Sequence, residues 1–176
     1  MTLCIKHFEE IGSTNDFALE IVQKDNLSDD IAVIAAVQTN GRGRLNGRVW
    51  YSPLGNFYCS YILNLQDWNT SQNETNTLTS EVISILERYL RKITNSDKIM
   101  LKQPNDILVH DKKLAGVLTE ISYPYVIIGI GINLIISPID SSTNLKSEFN
   151  FLVKPMDLVE NLYEYIKTEL MKCHSY

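Results

Sequence analysis

Residues 99–134 read IMLKQPNDILVHDKKLAGVLTEISYPYVIIGIGINL, and this segment carries the clearest signal of the fold. It holds four short runs rich in apolar and β-branched residues, at 99–102, 107–110, 114–121 and 125–134. Runs of this length predict strands, and turn pairs, Asp111-Lys112 and Tyr123-Pro124, separate the later ones. Because consecutive strands joined by tight turns pair in opposite directions, the stretch predicts a largely antiparallel sheet.

The chain on either side of this stretch adds strands and helices. Further strands are predicted at 3–8, 31–37 and 57–63, and polar loops at 66–76 and 137–150. Helical spacing of apolar residues predicts three amphipathic helices. The first is capped by Ser13 with Asp16 three residues on, and it fades near Asn26; the others begin near Leu78 and after Pro155. This order predicts a single α+β domain over residues 1–176, a mixed, largely antiparallel sheet with helices packed on it.

The bulk composition excludes several classes of protein. With 16 basic and 21 acidic side chains the formal net charge is −5, which argues against binding to DNA or to an anionic membrane surface. No apolar run approaches the roughly 18 residues of a membrane span, and the start of the chain lacks the features of a signal peptide. The three cysteines and three histidines are scattered, so we expect reduced thiols in a cytoplasmic protein and no histidine metal or triad site.

The strongest functional signal is residues 41–50, GRGRLNGRVW, which hold three of the chain's five arginines and no acid. Glycine lets a backbone approach a ligand closely, and the arginine guanidinium binds phosphate or carboxylate through two parallel hydrogen bonds. This composition predicts a loop that closes around an anion. A solvated surface loop is the alternative, against which Trp50 argues, because a large aromatic side chain that closes a polar loop usually packs on something.

A second candidate segment is Lys102-Gln103-Pro104-Asn105-Asp106, between two predicted strands. Pro104, Asn105 and Asp106 suit a turn, and a plain turn is the alternative interpretation. A turn does not explain Lys102 at the strand end. A lysine beside an aspartate can hold a phosphate and a divalent cation together, so the segment is a candidate phosphate site.

Two more segments carry residues that packing alone does not require. In 112–120, KKLAGVLTE, a tight turn presents Lys112 to solvent and Lys113 inward, and Gly116 weakens the strand unless something approaches its backbone. A plain hairpin with surface lysines is the alternative. In 129–133, GIGIN, two glycines in a buried strand cost stability, and Asn133 both donates and accepts hydrogen bonds. This segment lacks the third glycine and the following helix of a dinucleotide fold, so a close-packed strand crossing is the alternative.

Taken in order, these four segments resemble the catalytic domain of biotin–protein ligases, a class II synthetase-like fold shared with lipoate ligases. The resemblance runs from about residue 8 to residue 134. It implies a two-step reaction that uses biotin, ATP and Mg²⁺. The carboxylate of biotin attacks the α-phosphate to give biotinyl-5′-AMP and pyrophosphate, and a lysine of a biotin carboxyl carrier domain then takes the biotin as an amide.

The resemblance also implies a role for each matching residue. Catalysis is assigned to Lys113, Arg42, Arg44 and Arg48. Biotin binding is assigned to Ser13, Thr14, Asn15, Gln38, Gly41, Arg42, Arg44, Lys113, Gly116 and Leu118. Nucleotide binding is assigned to Arg44, Arg48, Trp50, Lys102, Asn105, Asp106 and Asn133, with Asp106 as the magnesium ligand. The reaction is expected to depend most on Lys113, placed between the carboxylate of biotin and the α-phosphate.

The chain departs from the family pattern at several points. Leu45-Asn46 stands where the loop usually has one residue, which leaves open whether Arg44 or Arg48 reaches the phosphate. Gln103 replaces the usual tryptophan. Residues 1–8 are too few for the DNA-binding domain that many members carry, so we expect no binding to DNA, and the C-terminal β-barrel of many members is expected to be absent. The resemblance is compatible with a homodimer.

Two other functions are weighed against biotin ligation. A lipoate or octanoate transferase shares the sheet architecture, but the Gly/Arg loop and the polar set around Ser13 and Gln38 suit a ureido ring better than an alkyl chain. A biotin-binding protein without ligase activity, or a nucleic-acid-binding module that reuses the loop, is the other alternative. The net charge of −5 argues against nucleic acid.

Overall fold

The computed structural model describes residues 2–24, 27–45, 47–68 and 77–174. Its strands are β1 (Leu3–Ile11), β2 (Asp30–Gln38), β3 (Phe57–Asn64), β4 (Met100–Lys102), β5 (Asp106–Val109), β6 (Lys112–Ser122) and β7 (Tyr125–Ile132). Its helices are α1 (Thr14–Lys24), α2 (Leu78–Thr94), α3 (Leu145–Phe149) and α4 (Pro155–His174), with a short 3-10 helix at Leu65–Trp68. No helix within the described ranges is long and apolar enough to cross a membrane.

The seven strands form one mixed sheet in the order β1-β2-β3-β7-β6-β5-β4. β1 and β2 are parallel, and α1 supplies the crossover that a parallel pair requires. Every other neighbouring pair is antiparallel. Residues 99–134 contain β4 to β7, which make up one half of the sheet. The predicted α+β fold with a mixed, largely antiparallel sheet is confirmed.

The two faces of the sheet are covered differently. Because side chains alternate along a strand, Ile128 and Ile130 of β7 join a large core with α2 and α4, whereas Ile127 joins a smaller core under α1. Farther along this second face, Gly129 and Gly131 stand where large apolar side chains could lie. Since α1 covers only one end of the second face, its glycine-lined remainder forms the floor of a cavity.

The interval 137–150 contains α3, so the prediction of an uninterrupted polar loop there is wrong. Asn144 caps this helix, because its Oδ1 accepts a hydrogen bond from Ser147 N at 2.8 Å. The helix spans only Leu145–Phe149, which is too short to show a helical period in the sequence.

Two other predicted boundaries shift. The β5–β6 turn lies at His110 and Asp111, which have φ of 49° and 62°, so that Lys112 already belongs to β6. The predicted loop 66–76 begins as the 3-10 helix. Its remaining part, residues 69–76, and Asn26 at the predicted end of the first helix lie outside the described residues.

A buried carboxylate ties α4 to the start of β2. Asp30 is 3% exposed, and its Oδ2 accepts hydrogen bonds from Tyr163 Oη at 2.7 Å and from Lys167 Nζ at 2.5 Å. Burial raises the pKa of Tyr163 to about 12, and the hydrogen bond to Asp30 acts in the same direction. Burial alone lowers the pKa of Lys167, but Asp30 and Tyr163 outweigh this effect, so that pKa is raised.

We expect the free energy of unfolding to fall as the pH rises from about 10 to about 12. A group whose pKa is raised in the folded state contributes stability that is complete below its unfolded pKa and is lost as the pH rises through its folded pKa. Tyr163 and Lys167 both behave in this way. Urea unfolding should give a lower free energy at about pH 11 than at about pH 9, with a shallower decline for Tyr163→Phe. An equal or steeper decline for that variant would contradict the assignment.

Candidate active site

A cavity of about 450 Å³ opens on the sheet face that α1 leaves uncovered. Its floor is formed by β6 and β7, and its walls by the first turn of α1, the end of β2, residues 42–45 and 48–51, the β4–β5 turn and the loop at 138–142. The predicted site residues that line it are Ser13, Thr14, Asn15, Gln38, Arg42, Arg44, Arg48, Trp50, Lys102, Asn105, Asp106, Lys113, Gly116, Leu118 and Asn133. The remaining predicted residue, Gly41, is buried outside this lining.

The first turn of α1 builds a polar corner, which we define as Thr14, Asn15, Gln38 and Ser60. The helix begins here because Ser13 Oγ accepts a hydrogen bond from Asp16 N at 3.3 Å, the cap expected from the sequence. Thr14 N and Thr14 Oγ1 donate to Gln38 Oε1 at 2.8 and 3.0 Å. The buried Ser60 hydroxyl donates to Thr14 Oγ1 at 2.8 Å. Through Thr14, Asn15 and Gln38, which line the cavity, the corner therefore offers hydroxyl and amide groups that can both donate and accept hydrogen bonds.

Asn15 fastens the polar corner to the sheet. Its Nδ2 donates to Glu120 Oε2 at 2.7 Å and to Leu118 O at 3.3 Å, and its Oδ1 accepts from Ser60 Oγ at 2.5 Å. The side chain lies directly on β7 at Gly129, where a Cβ atom would overlap Asn15 Oδ1. The absence of a side chain at residue 129 therefore lets α1 dock this closely.

Trp50 lies on a flat platform made by two glycines. Gly116 on β6 and Gly131 on β7 are direct cross-strand partners. A Cβ at Gly131 would overlap the indole ring, and one at Gly116 would lie 3.2 Å from both Trp50 Cζ3 and Lys113 Cε. The Trp50 Nε1 proton is buried and has no hydrogen-bond partner in the described part of the chain. The space above Gly116, which the resemblance assigns to biotin, is thus occupied by Trp50 and Lys113 in this structure.

A β-bulge turns Lys113 toward the cavity. The pairing of β5 with β6 shifts by one residue, so that Leu114 and Ala115 both point into the large core. Regular alternation would have put Lys113 on the same face as Ala115. With the extra residue it shares the cavity face with Gly116 instead. Lys112 is exposed, as expected from the sequence.

The Lys113 ammonium is held between an acid and an aromatic ring. Its Nζ lies 2.7 Å from Asp106 Oδ1 and 4.9 Å from the centre of the Trp50 ring. Asp106 Oδ1 is buried, and its contact with the ammonium is an ion pair rather than a well-directed hydrogen bond. The Lys113 side chain is 32% exposed, so the amine can be reached from the cavity.

The β4–β5 turn forms the wall beyond Lys113. Asn105 is fixed to β6, because its side-chain Nδ2 donates to Val117 O at 3.1 Å and its backbone carbonyl accepts from Val117 N at 3.0 Å. Lys102 is exposed on the rim. Asp106 is the sole acid among the described residues that line the cavity, and it is paired with Lys113. Within the described ranges no group of three His, Cys, Asp or Glu side chains could hold a metal ion.

The Gly/Arg segment forms a hairpin over the cavity, and we call residues 41–50 the arginine hairpin. Hydrogen bonds from Gly43 N to Arg48 O at 2.8 Å and from Trp50 N to Gly41 O at 2.9 Å join its two arms. The buried Gly41 therefore closes the base of the hairpin. Asn46, part of the one-residue insertion, lies outside the described residues.

The three arginines of the hairpin have different surroundings. Arg44 and Arg48 are exposed near the tip, and neither forms a salt bridge with any residue that the structure describes. Arg42, near the base, pairs with Asp16 at 2.6 Å and with Glu120 at 3.0 Å. Burial alone lowers the pKa of Arg42, but its hydrogen bonds to the two carboxylates outweigh this effect and raise it. Arg42, assigned by the resemblance to substrate binding and catalysis, is thus neutralised by protein carboxylates.

Asn133, assigned by the resemblance to the nucleotide, is engaged with the protein. It is 1% exposed; its Nδ2 donates to Lys113 O at 3.2 Å and its Oδ1 accepts from Asn56 Nδ2 at 3.4 Å. Asn56 Oδ1 in turn accepts hydrogen bonds from the backbone N–H groups of Leu134, Ile135 and Ile136. Asn56 therefore fixes the loop that follows β7 at the edge of the cavity.

Sequence reasoning missed four residues that build the site: Asp16 as an ion-pair partner, Asn56, Ser60 and Glu120. Each bonds to a residue far away in the sequence. Two of them had a detectable signal, since Ser60 and Glu120 interrupt otherwise apolar runs, and a polar group in a half-buried strand needs a partner.

A family model described as the biotin/lipoate A/B protein ligase family matches residues 7–133, a span that contains every predicted site residue. Among curated proteins, the bifunctional ligase/repressor BirA of Escherichia coli (strain K12) is 34% identical over 139 residues, which are 75% of this chain and 41% of that protein. The chain therefore spans about two fifths of the length of this relative.

Two solved structures superpose on nearly the whole chain. The biotin protein ligase from Aquifex aeolicus in complex with biotin and ATP matches with a TM-score of 0.80 and 29% identity, over 98% of this chain and 72% of that one. The biotin protein ligase from Leishmania major in complex with biotinyl-5-AMP matches with a TM-score of 0.80 and 27% identity, over 98% of this chain and 75% of that one.

Proposed function

Because this chain belongs to the biotin/lipoate A/B protein ligase family, we propose that it activates biotin with ATP and transfers the biotinyl group to a lysine of a biotin carboxyl carrier domain. The observation that carries the proposal is the position of Lys113. Its ammonium lies on the floor of the cavity that the polar corner walls at one end, and it pairs with Asp106 at the β4–β5 turn. A ligand with a polar ring, an apolar tail and a terminal carboxylate fits a cavity that has the polar corner at one end, a glycine-lined floor and Lys113 beyond it.

Biotin enters with its ureido ring in the polar corner. The hydroxyl and amide groups of Thr14 and Gln38 can donate to its carbonyl and accept from its N–H groups. The tail then runs along the floor past Leu118 and Gly116 toward Lys113. Since Trp50 lies over Gly116, the indole moves aside or becomes the lid over the tail.

The first chemical step joins two anions. A carboxylate oxygen of biotin forms a bond to the α-phosphorus of ATP, the bond from that phosphorus to the bridging oxygen breaks, and pyrophosphate leaves. Mutual repulsion opposes this approach, and cationic groups offset it most as charge builds in the transition state. The cavity supplies Lys113 beside the carboxylate, with Arg44, Arg48 and Lys102 on the rim for the phosphates.

Asp106 holds Lys113 in place until the substrates arrive. The ion pair at 2.7 Å keeps the ammonium at the junction of the two subsites. Substrate oxygens then take over part of this pairing, so that little reorientation is needed during the reaction. In the second step the amine of the acceptor lysine attacks the acyl carbon, the bond to AMP breaks and the amine loses a proton.

Magnesium is proposed as a partner of the ATP phosphates rather than as an ion held by the protein. The described residues offer a single lining carboxylate, Asp106, and it already pairs with Lys113. This donor set does not fit a resident metal site, which needs several oxygen ligands. We also propose a cytoplasmic location, in line with the free cysteines Cys4, Cys59 and Cys173, and no role in DNA binding.

The proposal predicts covalent transfer of biotin to a carrier domain. After incubation of the chain with biotin, Mg-ATP and a purified biotin carboxyl carrier domain, mass spectrometry should show one added biotinyl group on the carrier. The product should be missing when ATP is left out. Binding of biotin without any modified carrier or adenylate would instead favour a biotin-binding protein that lacks ligase activity.

A lipoate or octanoate transferase is the rival activity, and the polar corner argues against it. An alkyl chain at that end of the cavity would offer no hydrogen-bonding group to Thr14 and Gln38, polar side chains that line it. The melting temperature of the chain should therefore rise when biotin is added, because a ligand that binds only the folded state stabilises it. A shift with lipoate or octanoate and none with biotin would favour the rival.

A further inference from the structure

Arg42 was expected to bind a substrate anion, but in the structure it forms ion pairs with two carboxylates of the protein. Its Nε and Nη2 lie 2.7 and 2.6 Å from Asp16 Oδ1, and Nη2 also lies 3.1 and 3.0 Å from the two carboxylate oxygens of Glu120. Asp16 belongs to the first turn of α1 and Glu120 to β6. The guanidinium thus joins the arginine hairpin to both the helix and the sheet.

The charge of this cluster does not favour a substrate anion. One guanidinium faces two carboxylates, so the cluster carries more negative than positive charge. A biotin carboxylate or a phosphate brought to Arg42 would be repelled by both acids at short range. Arg44 and Arg48 differ, because neither pairs with an acid anywhere in the described part of the chain. The anion-binding charge of the hairpin is therefore at its tip and not at its base.

The same cluster is continuous with the polar corner. Glu120 Oε2 accepts from Asn15 Nδ2 at 2.7 Å, and Asn15 Oδ1 accepts from Ser60 Oγ at 2.5 Å. A group that binds in the corner therefore lies beside Asn15, which bonds directly to Glu120, one of the two partners of Arg42.

The other arm of the hairpin is tied to the corner as well. Gln38 Nε2 donates to Ser52 Oγ at 2.9 Å, and Ser52 Oγ donates to Trp50 O at 3.0 Å. Both ends of the hairpin are thus bonded to side chains of the polar corner or to their direct partners. One connected set of hydrogen bonds therefore fixes both the position of the hairpin and the orientation of the side chains in the corner.

We propose that Arg42 is a positioning residue: with Asp16 and Glu120 it clamps the base of the arginine hairpin, sets Arg44 and Arg48 over the cavity, and couples the polar corner to the anion-binding tip. The inference rests on the proposed function of the cavity and deepens it. It assigns the substrate anions to Arg44 and Arg48 and removes Arg42 from direct contact with them.

The decisive variant is Asp16→Asn combined with Glu120→Gln, which removes both carboxylate charges and keeps the side-chain shapes. If Arg42 were an anion ligand, this double variant would free it and tighten the binding of ATP. If Arg42 is a clamp, the double variant should instead loosen the hairpin and weaken the binding of ATP. We expect a roughly tenfold loss of affinity by calorimetry, near the low end of the change in affinity that coupling between two sites produces. Arg42→Met should weaken binding to a similar extent, and adding it to the double variant should cause little further loss.

A second readout needs no substrate and so stands apart from the proposed function. Trp50 and Trp68 are the two tryptophans of the chain, so Trp68→Phe leaves Trp50 as the sole reporter at the hairpin base. In that background the double variant should raise the quenching of fluorescence by acrylamide, since the indole leaves its glycine platform. Arg88→Met, which breaks an exposed pair with Glu169 at 3.1 Å, is the matched control and should leave quenching unchanged.

These measurements separate the clamp from the activity. Higher quenching in the double variant of a chain that forms no adenylate would support the clamp and refute ligation. Unchanged quenching in a variant that circular dichroism shows to be folded, or tighter ATP binding, would overturn the clamp even if the chain is an active ligase.

Discussion

Replacement of Lys113 by alanine should reduce the formation of biotinyl-5′-AMP by roughly 100- to 1000-fold, the loss expected when one preorganised donor to a developing charge is removed. The ammonium is the one cation on the cavity floor within the described residues, and Asp106 and the Trp50 ring hold it there. The side chain is 32% exposed and lies on the second face of β6, outside the two apolar cores. We therefore expect the variant to fold.

The neighbouring lysine provides the control for this prediction. Lys112 has the same charge and lies in the same strand, but it is exposed on the other side of it. Lys112→Ala should keep nearly all activity in biotin-dependent exchange of radiolabelled pyrophosphate into ATP. Similar rates for the two variants, with circular dichroism showing both folded, would remove Lys113 from its proposed role.

Replacement of Gly129 by alanine should abolish tight biotin binding and cost roughly 1–3 kcal/mol of folding free energy, the usual range for an overpacked core. The new methyl group would occupy the place of Asn15 Oδ1. Asn15 is 4% exposed and bonds to Ser60 and Glu120, so it cannot move without opening the polar corner. Calorimetric titration with biotin measures the first effect, and urea unfolding measures the second.

Gly12 is the matched control, since it directly precedes the same helix start. Among the described residues other than its two chain neighbours, no atom lies within 4 Å of a Cβ built on Gly12. Gly12→Ala should therefore bind biotin like the unmodified chain. Equal affinity in Gly12→Ala and Gly129→Ala would mean that contact between α1 and β7 does not shape the corner, contrary to our description.

Much of the fold could be predicted because its signals are local. The runs of 99–134 and the helical period after Leu78 predict their strands and helix without knowledge of any distant contact. α3 was missed because a single turn started by a side-chain cap has no period to detect. Turn composition placed the β5–β6 turn one residue late, since His110 rather than Lys112 adopts the left-handed conformation.

The residues of the cavity were predicted better than their contacts. A predicted tight turn indicated that Lys113 faces inward, but the reason is a bulge at Leu114, which depends on how β5 pairs with β6. Likewise, an arginine in a glycine-rich loop indicates anion binding, and nothing in residues 41–50 shows that Arg42 faces Asp16 and Glu120. These carboxylates come from segments 26 and 78 residues away in the sequence, and only the tertiary fold brings the three together.

We propose that this cavity joins biotin to the α-phosphate of ATP, and exchange of pyrophosphate into ATP reports on that step alone. The purified chain is incubated with Mg-ATP and radiolabelled pyrophosphate, with biotin, with lipoate or with neither. We predict label in ATP only when biotin is present, and its loss in Lys113→Ala. A folded chain that binds biotin yet shows no exchange above the biotin-free level would contradict the claim, as would exchange that depends on lipoate instead.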